Sequence, residues 1–174
     1  INGSTLNSRQ FATQGYREYL TAQIFTGREK FRAGSAAERD KERYKEKHSW
    51  LQISYFREDY YKITSKFTLG SYGEAFYASR NFSENYTSTL LQAGEFAPTA
   101  HSKVSYNEAF RANQYFAAGI RPLYHLNNLF LLRGEFYGFL PIYPIERNSI
   151  NTSYYGKAFS RFDYLGELSV VCQF

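Results

Sequence analysis

The chain has 174 residues, of which 20% are aromatic and 43% hydrophobic, and its net charge is +5 at pH 7. A single cysteine excludes an internal disulfide framework, and no stretch approaches the roughly 18 consecutive apolar residues of a membrane-spanning helix. Because the basic residues are offset by 16 acidic ones, nucleic-acid binding is not indicated. The aromatic content is typical of a β-barrel with aromatic girdles at both membrane surfaces.

Six segments alternate apolar and polar residues in a pattern that predicts β-strands. Successive side chains of a strand point to opposite faces, so this alternation requires an apolar medium on one side and water on the other. Each segment is long enough for a tilted transmembrane strand, which needs roughly 9–11 residues. The predicted strands are 14–26, 49–60, 62–77, 113–124, 129–140 and 161–174.

The predicted connections between these strands alternate in length. Bacterial outer-membrane barrels have short periplasmic turns and long outer loops, and the sequence has the same asymmetry. We expect the loop at 80–111, which contains Pro98, to hold a short element packed on or inside the barrel. The long loops are 27–48, 80–111 and 141–160, and the short turns are 59–62 and 125–128.

The fourth to sixth strands give the clearest assignment of faces. One row is predicted to face lipid: Phe130, Leu132, Phe136, Leu140, Leu168, Val170 and Phe174. A polar row is predicted to face the lumen: Arg121, Arg133, Glu135, Asp163 and Glu167. Opposite charges in this row can pair across strands, since buried charges require partners. Two interpretations stay open, a channel lining and a plugged, ion-paired lumen.

These features predict an all-β fold, an antiparallel transmembrane β-barrel, as a single domain over 1–174. About six strands are visible, which is fewer than the eight of small closed outer-membrane barrels. Open edges are costly in lipid because their backbone groups stay unpaired. Either the loop at 80–111 holds two further strands or the chain is part of a larger barrel. We expect the second, a partial barrel in a segment of a longer chain. A soluble lipocalin-like barrel is the alternative fold.

Catalytic motifs are not visible in this segment. The glycines around Ser71 do not have the spacing of a Gly-x-Ser-x-Gly elbow. The histidines His48, His101 and His125 lie in separate predicted loops without the spacing of metal ligands. No phosphate-binding glycine-rich loop occurs. We therefore predict no catalytic, metal-binding or cofactor-binding residue here.

Three pairs of stretches carry a resemblance to a known family: 9–15 (RQFATQG) with 27–30 (GREK), 97–103 (APTAHSK) with 110–115 (FRANQY), and 132–137 (LRGEFY) with 155–159 (YGKAF). They resemble the barrel region of bacterial patatin-like phospholipases. The resemblance implies a parent protein with an upstream patatin domain, a small linking domain and a C-terminal barrel of the outer-membrane assembly and two-partner secretion superfamily. The family's catalytic Ser–Asp dyad would then lie outside this segment.

The expected function follows from the pattern and the resemblance together. We expect a domain in the bacterial outer membrane that anchors, and displays or helps export, a patatin-like lipid acyl hydrolase. Its expected partners are outer-membrane lipids and, since the alternating end at 168–174 resembles a terminal-aromatic assembly signal, the barrel assembly machinery. A homodimer is compatible with this role. A stand-alone pore and a soluble lipocalin-like carrier are the two alternatives.

Overall fold

The computed structural model describes residues 1–8, 11–30, 45–83, 85–127 and 129–172. Seven strands of these ranges form one antiparallel sheet in the order β1-β2-β3-β4-β7-β8-β11. The predicted all-β, antiparallel fold is thereby confirmed. The strands are β1 (Asn2–Ser4), β2 (Gly15–Lys30), β3 (Lys45–Lys62), β4 (Phe67–Ala78), β5 (Gly94–Glu95), β6 (Arg111–Ala112), β7 (Gln114–His125), β8 (Phe130–Pro141), β9 (Ile145–Arg147), β10 (Ser153–Tyr155) and β11 (Asp163–Cys172).

Short elements fill the two long connections on either side of β7 and β8. The helix α1 (Tyr86–Gln92) and a 3₁₀ turn (Glu108–Phe110) lie between β4 and β7, where β5 pairs with β6. A second small hairpin, β9 with β10, lies between β8 and β11. No helix of the described ranges is both long and apolar enough to cross a membrane.

The main sheet has an inner face that carries the buried side chains and an outer face that is exposed. Burial therefore alternates along the strands, and in β11 it alternates strictly over Asp163–Cys172. The same period is visible in β7, where Tyr115, Ala117, Arg121 and Leu123 are buried on the inner face. This alternation is what the apolar and polar periodicity of the sequence predicts.

The turn between β3 and β4 lies at 63–66 and not, as predicted, at 59–62. The backbone N–H of Ile63 donates to the carbonyl of Phe67 at 3.0 Å. The hydroxyl of Thr64 accepts from the backbone N–H of Phe67, also at 3.0 Å. A short polar side chain that bonds nearby backbone stabilises such a turn. The prediction was wrong because residues 59–62 continue the strand in register with β4.

Other strand ends also differ from the prediction. β2 and β3 both extend past the predicted ends of their hairpin, so that 27–30 and 45–48 of the predicted loop belong to strands. The rest of that predicted loop, 31–44, lies outside the described residues. β1 was not predicted, because Asn2–Ser4 has no apolar alternation. It pairs with β2 at the sheet edge.

Candidate functional site

The inner face carries an ion-pair network toward the end of the sheet that holds the turn at 63–66, which we call the short-turn end. In β2, Arg17 places its Nη2 2.7 Å from Oε1 of Glu58 in β3. The other oxygen of Glu58 binds Nη1 of Arg121 in β7. Because the Glu58 side chain is 2% exposed, its charge requires these partners. The network members are, in order, Arg17, Glu58, Arg121, Glu135 and Arg133.

Glu135 of β8 is the second buried carboxylate of this network. Its Oε1 lies 3.2 Å from Nε of Arg121 and 2.9 Å from Nη2 of Arg133. The hydroxyl of Tyr137 donates to the same oxygen at 2.6 Å. Arg121 thus stands between two carboxylates that are each 2% exposed, and it neutralises both.

A glycine in β4 allows Arg121 to reach across to β3. Gly70 is in register with Tyr60 on one side and with Arg121 on the other. A Cβ at Gly70 would lie 2.8 Å from Cε1 of Tyr60 and 3.0 Å from Cβ of Arg121. The hydroxyl of Tyr60 accepts from Nη1 of Arg121 at 3.3 Å. The missing side chain at Gly70 is therefore what brings β3 and β7 into contact over β4.

The connection between β1 and β2 folds over the inner face beside the network. Phe11 lies 5.8 Å from the guanidinium carbon of Arg133 in β8, measured to the ring centroid. This contact is made across the sheet, because β3, β4 and β7 lie between β2 and β8. At about 4.8 Å per strand, β2 and β8 would be roughly 19 Å apart in a flat sheet. Phe11 has a φ of +53°, a strained value for a bulky residue. The apolar side chains of this cluster are Leu6, Phe11, Ala12, Tyr60, Leu123, Leu131 and Val171.

Two cavities open at the short-turn end. The first has a volume of about 280 Å³ and lies against the network and the β1–β2 connection. The second has a volume of about 530 Å³ and lies beside the turns that join β3 to β4 and β7 to β8. The first is lined by Leu6, Phe11, Ala12, Arg17, Glu58, Tyr60, Arg121 and Arg133. The second is lined by Thr13, Lys62, Ser65, Lys66, Thr68, His125 and Asn127.

The opposite half of the inner face is filled by aromatic rings. Phe96 and Phe110 belong to residues 93–112, which we call the inner segment and which crosses this half of the sheet. Phe96 is 2% exposed and stacks on Phe139 with the ring centroids 5.6 Å apart. This agrees with the expected packing of an element from 80–111 inside the fold. The buried cluster consists of Tyr72, Phe96, Phe110, Ala112, Tyr115, Ala117, Tyr137 and Phe139.

Polar contacts tie the inner segment to the sheet and to α1. Arg111 forms an ion pair with Glu95 at 2.9 Å and donates to the carbonyl of Leu90 at 3.2 Å. Nη2 of Arg121 donates to the carbonyl of Pro98 at 3.5 Å. The ion-pair network and the aromatic half are therefore joined through Arg121.

At the end of the sheet opposite the short turns, Arg80 links β3 to α1. Its guanidinium carbon lies 3.9 Å from the ring centroid of Trp50, and its Nη1 donates to the carbonyl of Gln92 at 2.8 Å. Burial lowers the pKa of Arg80 from its ordinary value. A cavity of about 450 Å³ adjoins this contact.

The residues predicted to face lipid lie on the outer face wherever the structure describes them. Phe136 is 52% exposed, Leu168 70% and Val170 65%. Phe130, Leu132 and Leu140 share this face, and Phe174 lies outside the described residues. Contact of this row with lipid stays a prediction.

The residues predicted to face the lumen all lie on the inner face, but only three of the five form ion pairs with one another. Arg121, Arg133 and Glu135 join the network. Asp163 instead pairs with Arg161 at 2.7 Å, and Glu167 is in register with Glu135 in the next strand. The alternation of the sequence therefore assigns the face correctly and leaves the partners open.

Sequence reasoning missed Glu58 as the central carboxylate of the network. Its position two residues before Tyr60 places it on the polar row of its strand, which was the available signal. Its partner Arg121 lies two strands away, across Gly70. Only the register of three strands brings the two together. Within the described residues, no group of three or more His, Cys, Asp or Glu side chains could hold a metal ion.

Comparisons with known proteins give no relative for this chain. No protein-family model matches it, and no curated protein is similar to it. A search of solved structures likewise finds no match. The function must therefore be argued from the two faces of the sheet and from the residues that line them.

Proposed function

We propose that this chain is a sector of an outer-membrane β-barrel that anchors a patatin-like phospholipase in the bilayer. The observation that carries the proposal is the exposed apolar row on the outer face of adjacent strands. On β8 and β11 this row is made of large hydrophobic side chains, with Leu168 and Val170 each about two-thirds exposed. Such rows on strands of ten or more residues fit a lipid-facing band.

The inner face supports the same proposal. A lipocalin-like carrier would hold its apolar rows inside around a ligand and its charges outside. Here the buried charges Glu58, Arg121 and Glu135 lie inside, while Phe136 and Leu168 are exposed outside. Water would be in contact with the apolar row in a soluble protein, which is unfavourable by about 25 cal/mol per Å². The arrangement therefore favours a membrane domain over a soluble carrier.

The inner segment favours an anchor over an open pore. A channel needs a continuous polar passage, but Phe96 and Phe110 fill one half of the inner face with aromatic rings. The other half is held by a network in which Arg121 neutralises Glu58 and Glu135. Of the two interpretations of the polar row, this packing supports the plugged, ion-paired lumen.

The sheet edges support a partial barrel. Over Asp163–Cys172, β11 pairs with β8 on one side, and β1 covers only the first part of β2 on the opposite edge. Unpaired backbone groups cost several kcal/mol each in hydrocarbon. A lipid-embedded form of this sheet therefore requires further strands at these edges, as a longer chain would supply.

The hydrolase part of the proposal rests on the resemblance alone. The resembling stretch 97–103 belongs to the inner segment, and 132–137 contributes Arg133 and Glu135 to the network. In this proposal the chemistry is carried by the upstream domain, and this segment holds that domain at the membrane. The full-length protein would therefore hydrolyse phospholipid acyl esters in the membrane fraction, and deleting 1–174 would release the activity into the soluble fraction.

The lipid-facing assignment is tested by replacing Phe136 with arginine in the full-length protein. If Phe136 lies near mid-bilayer, Phe136→Arg should destabilise the folded barrel by about 2–4 kcal/mol. The measurement is the urea midpoint of barrel folding in lipid vesicles. Phe159→Arg is the matched control, because Phe159 lies in a loop and is equally exposed, at 54% against 52%.

The two variants separate the membrane proposal from the soluble alternative. A lipid-embedded strand predicts a lower urea midpoint for Phe136→Arg than for Phe159→Arg. Equal midpoints would remove the lipid-facing assignment. An extraction of the wild-type protein from cells without detergent would remove the outer-membrane proposal altogether.

A further inference from the structure

The short-turn half of the inner face has more positive than negative charge. Among the described residues, five cationic side chains stand there against three carboxylates. The cations are Arg17, Lys62, Lys66, Arg121 and Arg133, and the carboxylates are Glu58, Glu135 and Glu167. Positive charge lined up along a partly enclosed surface raises the local concentration of anions.

The two terminal arginines of the network line the smaller cavity. Arg17 and Arg133 stand at the two ends of the network, and both line the cavity of about 280 Å³. Their side chains are 37% and 28% exposed, whereas Arg121 is 7% exposed and lies between two carboxylates. The buried Nε of Arg17 has no hydrogen-bond partner among the described residues. The two terminal arginines therefore line the cavity with partly exposed guanidinium groups, each of which is paired with one carboxylate.

The carboxylate that lines the same cavity does not cancel these donors. One oxygen of Glu58 is taken by Arg17 and the other by Arg121. Glu167 is in register with Glu135 and does not line the cavity. An anion that enters would thus meet guanidinium groups and the hydroxyl of Tyr60.

The larger cavity, which we call the entrance, lies at the short-turn end and is also lined by cationic side chains. Lys62 follows Tyr60 by two positions on β3, so the two cavities are lined by successive inner residues of one strand. Lys66 and His125 lie on other sides of the entrance, with the hydroxyls of Thr13 and Thr68. Cationic side chains therefore line both cavities, from the short-turn end to the network.

We propose that the cavity beside Arg17 and Arg133 binds a small oxyanion, a phosphate or carboxylate group. Guanidinium groups bind such groups through paired, charge-assisted hydrogen bonds. The cavity exceeds the roughly 30 Å³ occupied by one liquid water several-fold, which leaves room for the anion and its waters. The site depends on the inner face alone, so it holds whether or not the outer face contacts lipid.

The test is a calorimetric titration of the purified full-length protein, in detergent, at constant ionic strength. The probes are inorganic phosphate, acetate and a short-chain phosphatidic acid, which separate a free ion from a lipid headgroup. We expect at least one probe to bind the wild-type protein. Arg17→Gln and Arg133→Gln should each weaken that binding by about tenfold or more, as expected for a lost charged hydrogen bond.

Arg57→Gln is the matched control, because Arg57 is also paired with carboxylates but lies on the outer face with Asp59 and Glu18. It should leave the affinity unchanged. Lys62→Gln changes only the entrance and keeps the network intact, so it should weaken binding severalfold even if Arg17→Gln does not fold. Absence of binding of all three probes to the wild-type protein would overturn the proposal. Equal losses in Arg57→Gln and Lys62→Gln would overturn it as well.

Discussion

The two halves of the inner face are closed in different ways, although the same strands build both. β7 contributes Tyr115 to the aromatic half and Arg121 to the ionic half. The aromatic half is closed by burial of rings, which needs shape complementarity but no specific partner. The ionic half is closed by charge pairing, which fails if one partner is removed. The first therefore tolerates exchange among apolar residues, and the second does not.

The largest effect is expected from removing the central cation of the ionic half. Arg121→Met would leave Glu58 and Glu135 buried without their shared partner, which should cost about 3–5 kcal/mol. The measurement is the urea midpoint of the protein. Arg57→Met is the control, since Arg57 also contacts two carboxylates but its side chain is 43% exposed. An unchanged midpoint for Arg121→Met would mean that the two halves are not stabilised differently.

A smaller loss is expected from the aromatic half. Phe96→Ala should cost about 3–4 kcal/mol, because Phe96 is 2% exposed and its removal leaves a cavity among the five aromatic rings that it contacts. Phe96→Leu should restore most of the stability, as an apolar side chain refills the space. Phe159→Ala, at an exposed loop position, should have little effect. If Phe96→Leu were as damaging as Phe96→Ala, the aromatic half would depend on specific ring contacts.

The smallest effect should come from the glycine that lets the ionic network cross β4. Gly70→Ala places a methyl group against Tyr60 and Arg121, and overpacking of this kind costs about 1–3 kcal/mol. Gly73→Ala, on the same strand, is the control because nothing lies within 4 Å of its added Cβ. The difference between the thermal midpoints of Gly70→Ala and Gly73→Ala measures the cost of separating Tyr60 from Arg121 over β4. Equal midpoints would show that Tyr60 and Arg121 move apart without cost.

The strands and their faces could be predicted from the sequence where apolar and polar residues alternate with a strict period of two. In β8, the row from Phe130 to Leu140 predicts both the strand and its faces, because each residue needs only its own strand to find its side. The turn at 63–66 was predicted too early because Ile63 is apolar like Phe67 and Leu69 and was assigned to the same row of the next strand. A local pattern therefore defines the faces of a strand better than its ends.

The partners within the site could not be predicted in the same way. Glu58 and Arg121 meet only because Gly70 lies between them in the register of three strands. The position of Phe96 depends on rings from several strands, and no local periodicity marks the inner segment. Contacts of this kind are properties of the assembled sheet, and they require the register before they can be inferred.

The contact between Phe11 and Arg133 has a consequence for the order of folding. Phe11 lies near the start of the sequence and Arg133 lies in β8, so a long stretch of chain must be ordered before the two side chains meet. Closing such distant contacts is entropically costly and slows folding. If strands assemble in chain order, the wall of the smaller cavity is completed late, after β3, β4 and β7 have paired. Arg133 thus receives its aromatic neighbour in one of the last steps of assembly.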